Sequence, residues 1–433
     1  MKKTALIWYR NDLRVEDHPG ILEATQSFDQ VIACYAVDPR HYETNRWGFK
    51  KTERYRAQFL LESVQALQKA LKQLNISLVI RQQTPEELIQ DLVQTHSIDQ
   101  IYFQEEWTSE EKQVEESIRK TLAPTVQWKS HYRQFLYEPS DLPMRVEQTP
   151  EVFTVFRKKC EKYAKIKPKL ERPKAMPSEN LIADNSSVPS LQALGLQEIE
   201  KDNRSAFPFC GGTQAGMERL HHYFWEHQRL SYYKNTRNGL VGIDYSSKFS
   251  AWLANGSLSP KMIFEEVKRY EKEVTKNQST YWLIFELIWR DYFKYISLKH
   301  GTKIFQLRGI LDRDYSWDNS PQKFVKWAQG ETREPFVNAN MLELMHTGWM
   351  SNRGRQNVAS FFAKDLLMDW RMGAAYFESL LIDYDVHSNY GNWLYVSGVG
   401  NDPRDRKFNI RTQAERYDTD GRFQRMWLQP RLL

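Results

Sequence analysis

The feature that most constrains the fold is a change of hydrophobic period along the chain. Through the first 130 residues, short apolar runs alternate with longer amphipathic stretches. Thr4–Tyr9, Val31–Val37, Ser77–Ile80, Gln100–Phe103 and Thr125–Trp128 read as strands. Between them, Thr52–Leu74 carries Phe59, Leu60, Val64, Leu67 and Leu71 at helical spacing. Thr84-Pro85-Glu86-Glu87 predicts a helix start, with a Thr cap, Pro at the first position and Glu at the third. This alternation predicts a doubly wound parallel sheet with helices on both faces. From about residue 206 the period is helical only, over Thr213–Arg229, Pro260–Glu273, Ser279–Lys299, Pro321–Gln329, Asn338–Thr347, Ser351–Asp369 and Gly373–Ile382. Residues 131–205 are punctuated by seven prolines and read as a surface-wrapping connector with one short helix near Val152–Lys165. The expected fold class is α/β plus all-α: a parallel-sheet domain over 1–130, a connector over 131–205, and a helical domain over 206–433. The last is large enough to surround a sizeable ligand.

Composition removes several classes. Cys34, Cys160 and Cys210 are too few and too scattered for a disulfide framework or a four-cysteine zinc site, and no metal is expected. The apolar run after the basic start stops at Arg10, too short for a signal peptide. The most apolar helix candidate, Tyr281–Trp289, contains Glu286 and cannot span a bilayer. The expectation is a cytoplasmic monomer, organellar or nuclear in a eukaryote, with no membrane partner. A net charge of +6 permits a polyanionic partner without naming one. After the first strand the chain reads Arg10-Asn11-Asp12-Leu13-Arg14, with no Gly-x-Gly-x-x-Gly, so a pyrophosphate is not expected at this turn.

Four segments of the helical half carry chemistry. Asp244-Tyr245-Ser246-Ser247-Lys248-Phe249-Ser250 follows a glycine-containing loop. Hydroxyls, backbone N–H groups and a cation at a helix start suit phosphate oxygens, although an ordinary cap uses the same residue types. In Trp282–Phe293, the side chains of Glu286, Trp289, Arg290 and Phe293 share one face. A carboxylate between aromatic rings is costly to bury alone. An i,i+4 ion pair with Arg290 accounts for both charges. A pocket floor that stacks a flat ring on Trp289 and hydrogen-bonds it through Glu286 is the other reading. In Gly348–Asn357, Asn352, Arg355 and Gln356 share one helix face and Arg353 and Asn357 the next, either a site edge or a solvated face. In Leu381–Tyr395, Asp383 and Asp385 raise each other's pKa unless compensated, and Arg355 is a candidate compensator. The density of Asn, His and aromatics there reads as a ligand-lining loop, or more plainly as loop chemistry after a helix. Ten of the fourteen tryptophans follow residue 200. Trp317, Trp370 and Trp393 sit in segments that could pack near this loop, but spacing alone does not show a chain of them.

Taken in order, these motifs resemble those of the photolyase/cryptochrome family, most closely its DASH class, over essentially the whole chain. Ile7–Arg14 is similar to that family's first strand and turn. Thr236-Arg237-Asn238-Gly239-Leu240 with Asp244–Ser250 is similar to the DASH form of its flavin phosphate loop. Gly348–Gln356, and Asp383-Tyr384-Asp385 ending in Asn392-Trp393, complete the match. The resemblance implies a U-shaped FAD in the helical domain. Tyr233, Ser246, Ser247, Lys248, Phe249 and Ser250 would hold its phosphates. Asn352, Arg355, Asp383 and Asp385 would line the isoalloxazine and ribityl region, with Arg290 among the cofactor contacts. Asn389 would face flavin N5, as in photolyases, which keep the flavin reduced and anionic. Trp393, Trp370 and Trp317 match an electron-hopping chain, proximal to surface.

The implied chemistry is light-driven: excited reduced FAD donates an electron to a cyclobutane pyrimidine dimer, which splits and returns it. The dimer must leave the stack to reach the flavin. Glu286 would hydrogen-bond its bases, Trp289 would stack on them, and Arg237 and Arg353 would contact phosphates. Gln356 and Tyr395 stand where duplex-repairing photolyases usually have Met and Trp, and both are typical of the DASH class. Stacking contributes about 1–3 kcal/mol per base, so a less stacking pocket points to single-stranded DNA as the substrate. A 5,10-methenyltetrahydrofolate antenna between the domains is also implied, with Glu106 of Gln104-Glu105-Glu106-Trp107 its candidate contact or simply part of an acidic strand-end turn. The alternative is a blue-light receptor or regulator that binds FAD and nucleic acid without efficient repair. The retained Glu286, Trp289 and Asn389 favour the enzyme.

Overall fold

The fold is described from a computed structural model, covering residues 2–402 and 404–429. Five parallel strands, β1 (Thr4–Trp8), β2 (Gln30–Ala36), β3 (Ser77–Arg81), β4 (Gln100–Gln104) and β5 (Gln127–His131), form one sheet in the order β3-β2-β1-β4-β5. Helices α1 (Pro19–Ser27), α2 (Arg54–Lys72), α3 (Pro85–His96) and α4 (Ser109–Thr121) make the crossovers. Every residue of β1 is buried, which explains a continuous apolar run where a one-sided sheet would alternate. Ala5 and Ile7 pack on one face with Val64, Leu67 and Leu71 of α2. Leu6 and Trp8 pack on the other with Leu88, Ile89 and Leu92 of α3. Thr84 and Glu87 form the reciprocal capping box that the sequence predicts. The strand order reverses between β1 and β4, and the segments leaving these two strands carry Asn11 and Glu106. A crevice opens at this kind of switch point.

The connector holds α5 (Phe153–Tyr163) and then wraps the sheet domain. Asn180 there accepts from the Val31 N–H at 2.8 Å and donates to the Val31 and Asn75 carbonyls. The helical part follows as α6 (Thr213–His221), α7 (Tyr233–Thr236), α8 (Ser250–Ala254), α9 (Pro260–Glu273), α10 (Gln278–His300), α11 (Pro321–Ala328), α12 (Pro335–Thr347), α13 (Asn352–Ser360), α14 (Trp370–Leu380), α15 (Val386–Ser397), α16 (Ile410–Tyr417) and α17 (Arg422–Leu428). No helix among the described residues is long and apolar enough to cross a membrane.

The fifth strand begins two residues later than the run Thr125–Trp128 and continues to His131, and three further segments depart from the sequence reading. Thr213–Arg229 is not one α-helix, because it widens into a π-turn over His222–Glu226, closed by the His227 N–H on the His222 carbonyl at 3.0 Å. Ser351–Asp369 likewise passes from α13 into a π-turn over Phe361–Asp365 and stops at Leu367, which has φ 55°. Asp369 then caps α14. Leu381–Tyr395 is mostly not a loop. Asp385 accepts from the Ser388 N–H at 2.8 Å and starts α15. Its Asn and Gly content hid the period, and packing against α10 and α14 supplies what propensity lacks.

The halves meet tightly. Gly256 (φ 73°) lies so close to the turn after β1 that a Cβ there would stand 2.1 Å from the Asn11 carbonyl oxygen. Only glycine fits. Around it, the Leu13 N–H donates to the Asn255 carbonyl at 3.1 Å and buried Arg14 donates to the Gly256 carbonyl at 2.9 Å.

Candidate cofactor and substrate site

A cavity between α13, α14 and α15 is lined by Asn352, Arg355, Gln356, Asp383, Asp385, Asn389 and Trp393. Capping explains the convergence: Ser351 caps α13 and Asp385 caps α15, so both helices present their first turns to the same space. Arg355 meets Asp383 at 2.9 Å. Asp385 is compensated not by Arg355 but by Lys294 of α10, at 2.9 Å. Burial pushes the Asp385 carboxyl up, but Lys294 and Arg290 together hold it well below the usual carboxylate range. Asn389 donates through Nδ2 to the Ala374 carbonyl at 3.0 Å, so its remaining polar atom, Oδ1, is an acceptor.

The Asp244–Ser250 loop lies against α6. Arg219, buried, donates to the Ile243, Ser246 and Ser247 carbonyls and pairs with Asp244 at 2.7 Å. With the carbonyls tied down, hydroxyls and N–H groups remain for an anion. Among the described residues, the N–H groups of Ser246, Ser247 and Lys248 have no acceptor. Ser246 is half-buried, Ser250 is exposed at the start of α8, and Tyr233 and Phe249 are buried. Lys248 (φ 67°) turns its ammonium inward, 3.2 Å from the ring centroid of Tyr245 and 4.8 Å from that of Trp349. Its Nζ is buried without a hydrogen-bond partner, and burial pushes its pKa well down. Burial also pushes nearby Glu343 up to about 8. A buried lysine with no hydrogen-bond partner beside free loop N–H groups, and carboxylates, an Arg and three Asn around a cavity, fit the phosphates and the polar ring edge of FAD.

Beside the cavity, Glu286 does not pair with Arg290, contrary to the i,i+4 reading. Arg237 NH1 stands 2.8 Å from Glu286 Oε1, while Arg290 donates to the Gln134 and Leu253 carbonyls. Burial raises the Glu286 pKa and Arg237 opposes it. Phe153 of the connector covers one face of Trp289, with ring centroids 3.6 Å apart and 13° between planes. Tyr395 meets Trp289 edge-on, at 6.3 Å and 88°. Arg353 donates to Asn238 and Gln356, which places it beside the loop that carries Arg237.

Trp393 and Trp370 are buried in one core cluster, against which partly buried Trp317 packs. Trp393 rests on Gly373, one turn along from Trp370, where a Cβ would stand 2.3 Å from its ring. A parallel bridge between Asp318 and Met368 brings Trp317 close to the start of α14. Trp327, also buried, meets Trp393 edge-on at 6.4 Å.

A second cavity, about 620 Å³, opens at the sheet's switch point. It is lined by Asn11, Glu106, Gln134, Arg290, Lys294 and Asp385, among others. Glu106 accepts from Asn11 at 3.3 Å and Gln104 at 3.0 Å. Sequence reasoning missed Lys294, Arg219, Phe153 and Trp282. Each is recognisable only by its partner across the fold, except Trp282, whose i,i+4 spacing to Glu286 was there to be read.

The fold and site define a class. The family described as DNA photolyase matches residues 5–177, and the FAD binding domain of DNA photolyase matches residues 282–432. The chain is 49% identical to the cryptochrome DASH of Gloeobacter violaceus, covering 98% of this chain and 85% of that protein. It is 48% identical to the cryptochrome DASH of Xenopus laevis, covering 97% and 81%. The crystal structure of a Synechocystis sp. cryptochrome superimposes with a TM-score of 0.94 at 45% identity, covering 98% of this chain and 88% of that one. The chain therefore belongs to the photolyase/cryptochrome family, in its DASH cryptochrome class.

Proposed function

We propose that this protein repairs cyclobutane pyrimidine dimers under blue light, with FAD as cofactor and single-stranded DNA as preferred substrate. The observation that carries the reading is the state of Glu286. It is held across the fold by Arg237 and is not consumed by Arg290 on its own helix. This leaves a carboxylate at the pocket beside Trp289, as base recognition requires.

When bound and excited in its reduced form, FAD supplies the electron that splits the dimer. Tyr233, Ser246, Ser247, Lys248, Phe249 and Ser250 hold the phosphates, the loop N–H groups and hydroxyls directly and Lys248 as a buried compensating charge. Asn352, Arg355, Asp383 and Asp385 hold the ring system. Asn389 Oδ1 would be the acceptor offered to a protonated ring nitrogen, which would favour a reduced flavin. Glu286 accepts from a base, Trp289 stacks on it, and Arg237, Arg353 and Gln356 meet the strand. Phe153 already occupies one face of Trp289 and Tyr395 stands edge-on, so at most one face of the indole is left to stack on a base. Such a pocket repays little of the cost of opening a duplex. Trp393, Trp370 and Trp317 would relay electrons between the surface and a bound flavin. The cavity at Glu106 would take a folate antenna, and Arg290 lines this cavity. We take 1–130, 131–205 and 206–433 as the working domain boundaries.

The test is an absorption spectrum, photoreduction, and illumination with dimer-containing oligonucleotides. Repair faster in single than in double strands supports the reading. Bound flavin without dimer loss moves the assignment to a light receptor. Trp393→Phe should slow photoreduction at least about tenfold yet leave repair by chemically reduced enzyme intact.

A further inference from the structure

Glu286 has a hydrogen-bond donor on its own helix. Trp282 stands one turn before Glu286 on α10, and its Nε1 donates to Glu286 Oε1 at 3.1 Å. Arg237 NH1 lies 2.8 Å from that same oxygen. The indole hydrogen bond and the Arg237 ion pair converge on Oε1, so Oε2 is the acceptor left for an incoming group. Trp282 is itself aimed. Its ring stacks on Phe285 at 4.6 Å and 29°, and Lys234 Nζ sits 4.6 Å from its centroid, tied to Gln278 at 2.7 Å. Phe285 meets Phe153 edge-on at 5.2 Å, and Phe153 is the ring that covers Trp289. One aromatic stack therefore orients both tryptophans.

We propose that Trp282 is a positioning residue. Together with Arg237 it holds Glu286 as a carboxylate with Oε2 toward the pocket, which then accepts the imide N–H of a pyrimidine. This rests on the repair reading and deepens it. The groups that face Glu286 are Arg237 and Tyr233 from the α7 segment, with Lys234 acting through the Trp282 ring, while Arg290 is turned to backbone carbonyls. Burial pushes the carboxyl up, and Arg237 and the indole N–H pull it back. Loss of the N–H therefore extends the protonated form to higher pH. A protonated carboxyl accepts an imide N–H less well.

Trp282→Phe keeps an aromatic ring and removes the donor. In the FAD-loaded full chain, two quantities are followed against pH: repair of a dimer in single-stranded DNA, and the Glu286 carboxyl infrared band, identified by its loss in Glu286→Gln. Both the acid limb of repair and the band's titration should move up by about one pH unit. KM for the dimer should rise more than kcat falls. If the Phe variant fails to fold or to hold FAD, β-(3-benzothienyl)alanine at 282 places sulfur where the N–H was, within the same two-ring outline, and should give the same shift. Wild-type protein that binds FAD but leaves dimers intact would sink the repair reading, and the infrared titration then decides this inference alone. An unmoved titration overturns it.

Discussion

Two buried clusters hold similar ingredients and behave in opposite ways. At the domain junction, Asp12 is fully buried, accepts from the Arg10 N–H at 2.8 Å, and faces His18 Nε2 at 2.9 Å and His131 Nε2 at 3.5 Å. The Ile21 N–H donates to His18 Nδ1 and the Arg133 N–H to His131 Nδ1, so a neutral ring in each case carries its proton on Nε2, toward Asp12. Burial pushes Asp12 up, yet these contacts hold it well below the usual carboxylate range. Near the phosphate loop, Lys248 and Glu343 are just as buried, but Lys248 Nζ and Glu343 Oε2 have no hydrogen-bond partner. Burial dominates both, pushing Lys248 down and Glu343 up to about 8. The Asp12 carboxylate has its partners within the chain, although His131 Nε2 itself makes no hydrogen bond, whereas the Lys248 ammonium has no acceptor within the chain.

The contrast can be broken by mutation. Asp12→Ala removes the partner of two buried imidazoles and the acceptor of the Arg10 N–H at the domain junction and should cost about 1–3 kcal/mol per donor left unpaired, read as a lower denaturant midpoint for the sheet domain. Lys248→Met should act in the other direction on the FAD-depleted chain, leaving the midpoint unchanged or raised, because an uncompensated buried charge is replaced by an apolar chain of similar length. The same variant should weaken FAD binding by about tenfold or more, measured by flavin fluorescence titration. A Lys248→Met protein that is strongly destabilised without FAD would show that the two clusters are alike after all.

A further effect is on pH dependence. Glu343 has a raised folded pKa, so between the ordinary Glu range and about 8 the folded state holds a proton that the unfolded state has lost. Stability therefore falls as pH rises through that window, by at most about 1.4 kcal/mol per pH unit, and Glu343→Gln should flatten the slope. Asp12 has the opposite sign: its contribution is complete above the unfolded Asp range and disappears as pH falls through the acid region. Urea midpoints of the FAD-depleted protein at several pH values separate the two.

Much of this molecule was legible in the residues. Four of the five strands, the capping box at Thr84, and the helices that start at Pro260 and Pro321 behind Ser259 and Ser320 follow from local pattern and cap chemistry, which act over a few residues. So did the pairing of Arg355 with Asp383, since opposite charges in two polar segments invite each other. The π-turns at His222–Glu226 and Phe361–Asp365 were not legible, because an extra residue in a helical turn leaves the apolar period almost unchanged. Nor was the helix begun by Asp385, where Asn389, Asn392 and Gly391 mask the period and the contacts of α10 and α14 restore it.

The order of strands and helices, the absence of a glycine-rich pyrophosphate turn, and the set of polar residues in the helical half all came from the linear pattern. Each depends on neighbours a few positions apart. Partner choice did not. Whether Glu286 pairs with Arg290, four residues away, or with Arg237, far along the chain, is a contest between a weak exposed helix pair and a partly desolvated contact. Only the packed structure sets the dielectric and the distances that decide it. The same holds for Lys294 with Asp385 and for the ring of Phe153 on Trp289, where packing alone brought the partners together.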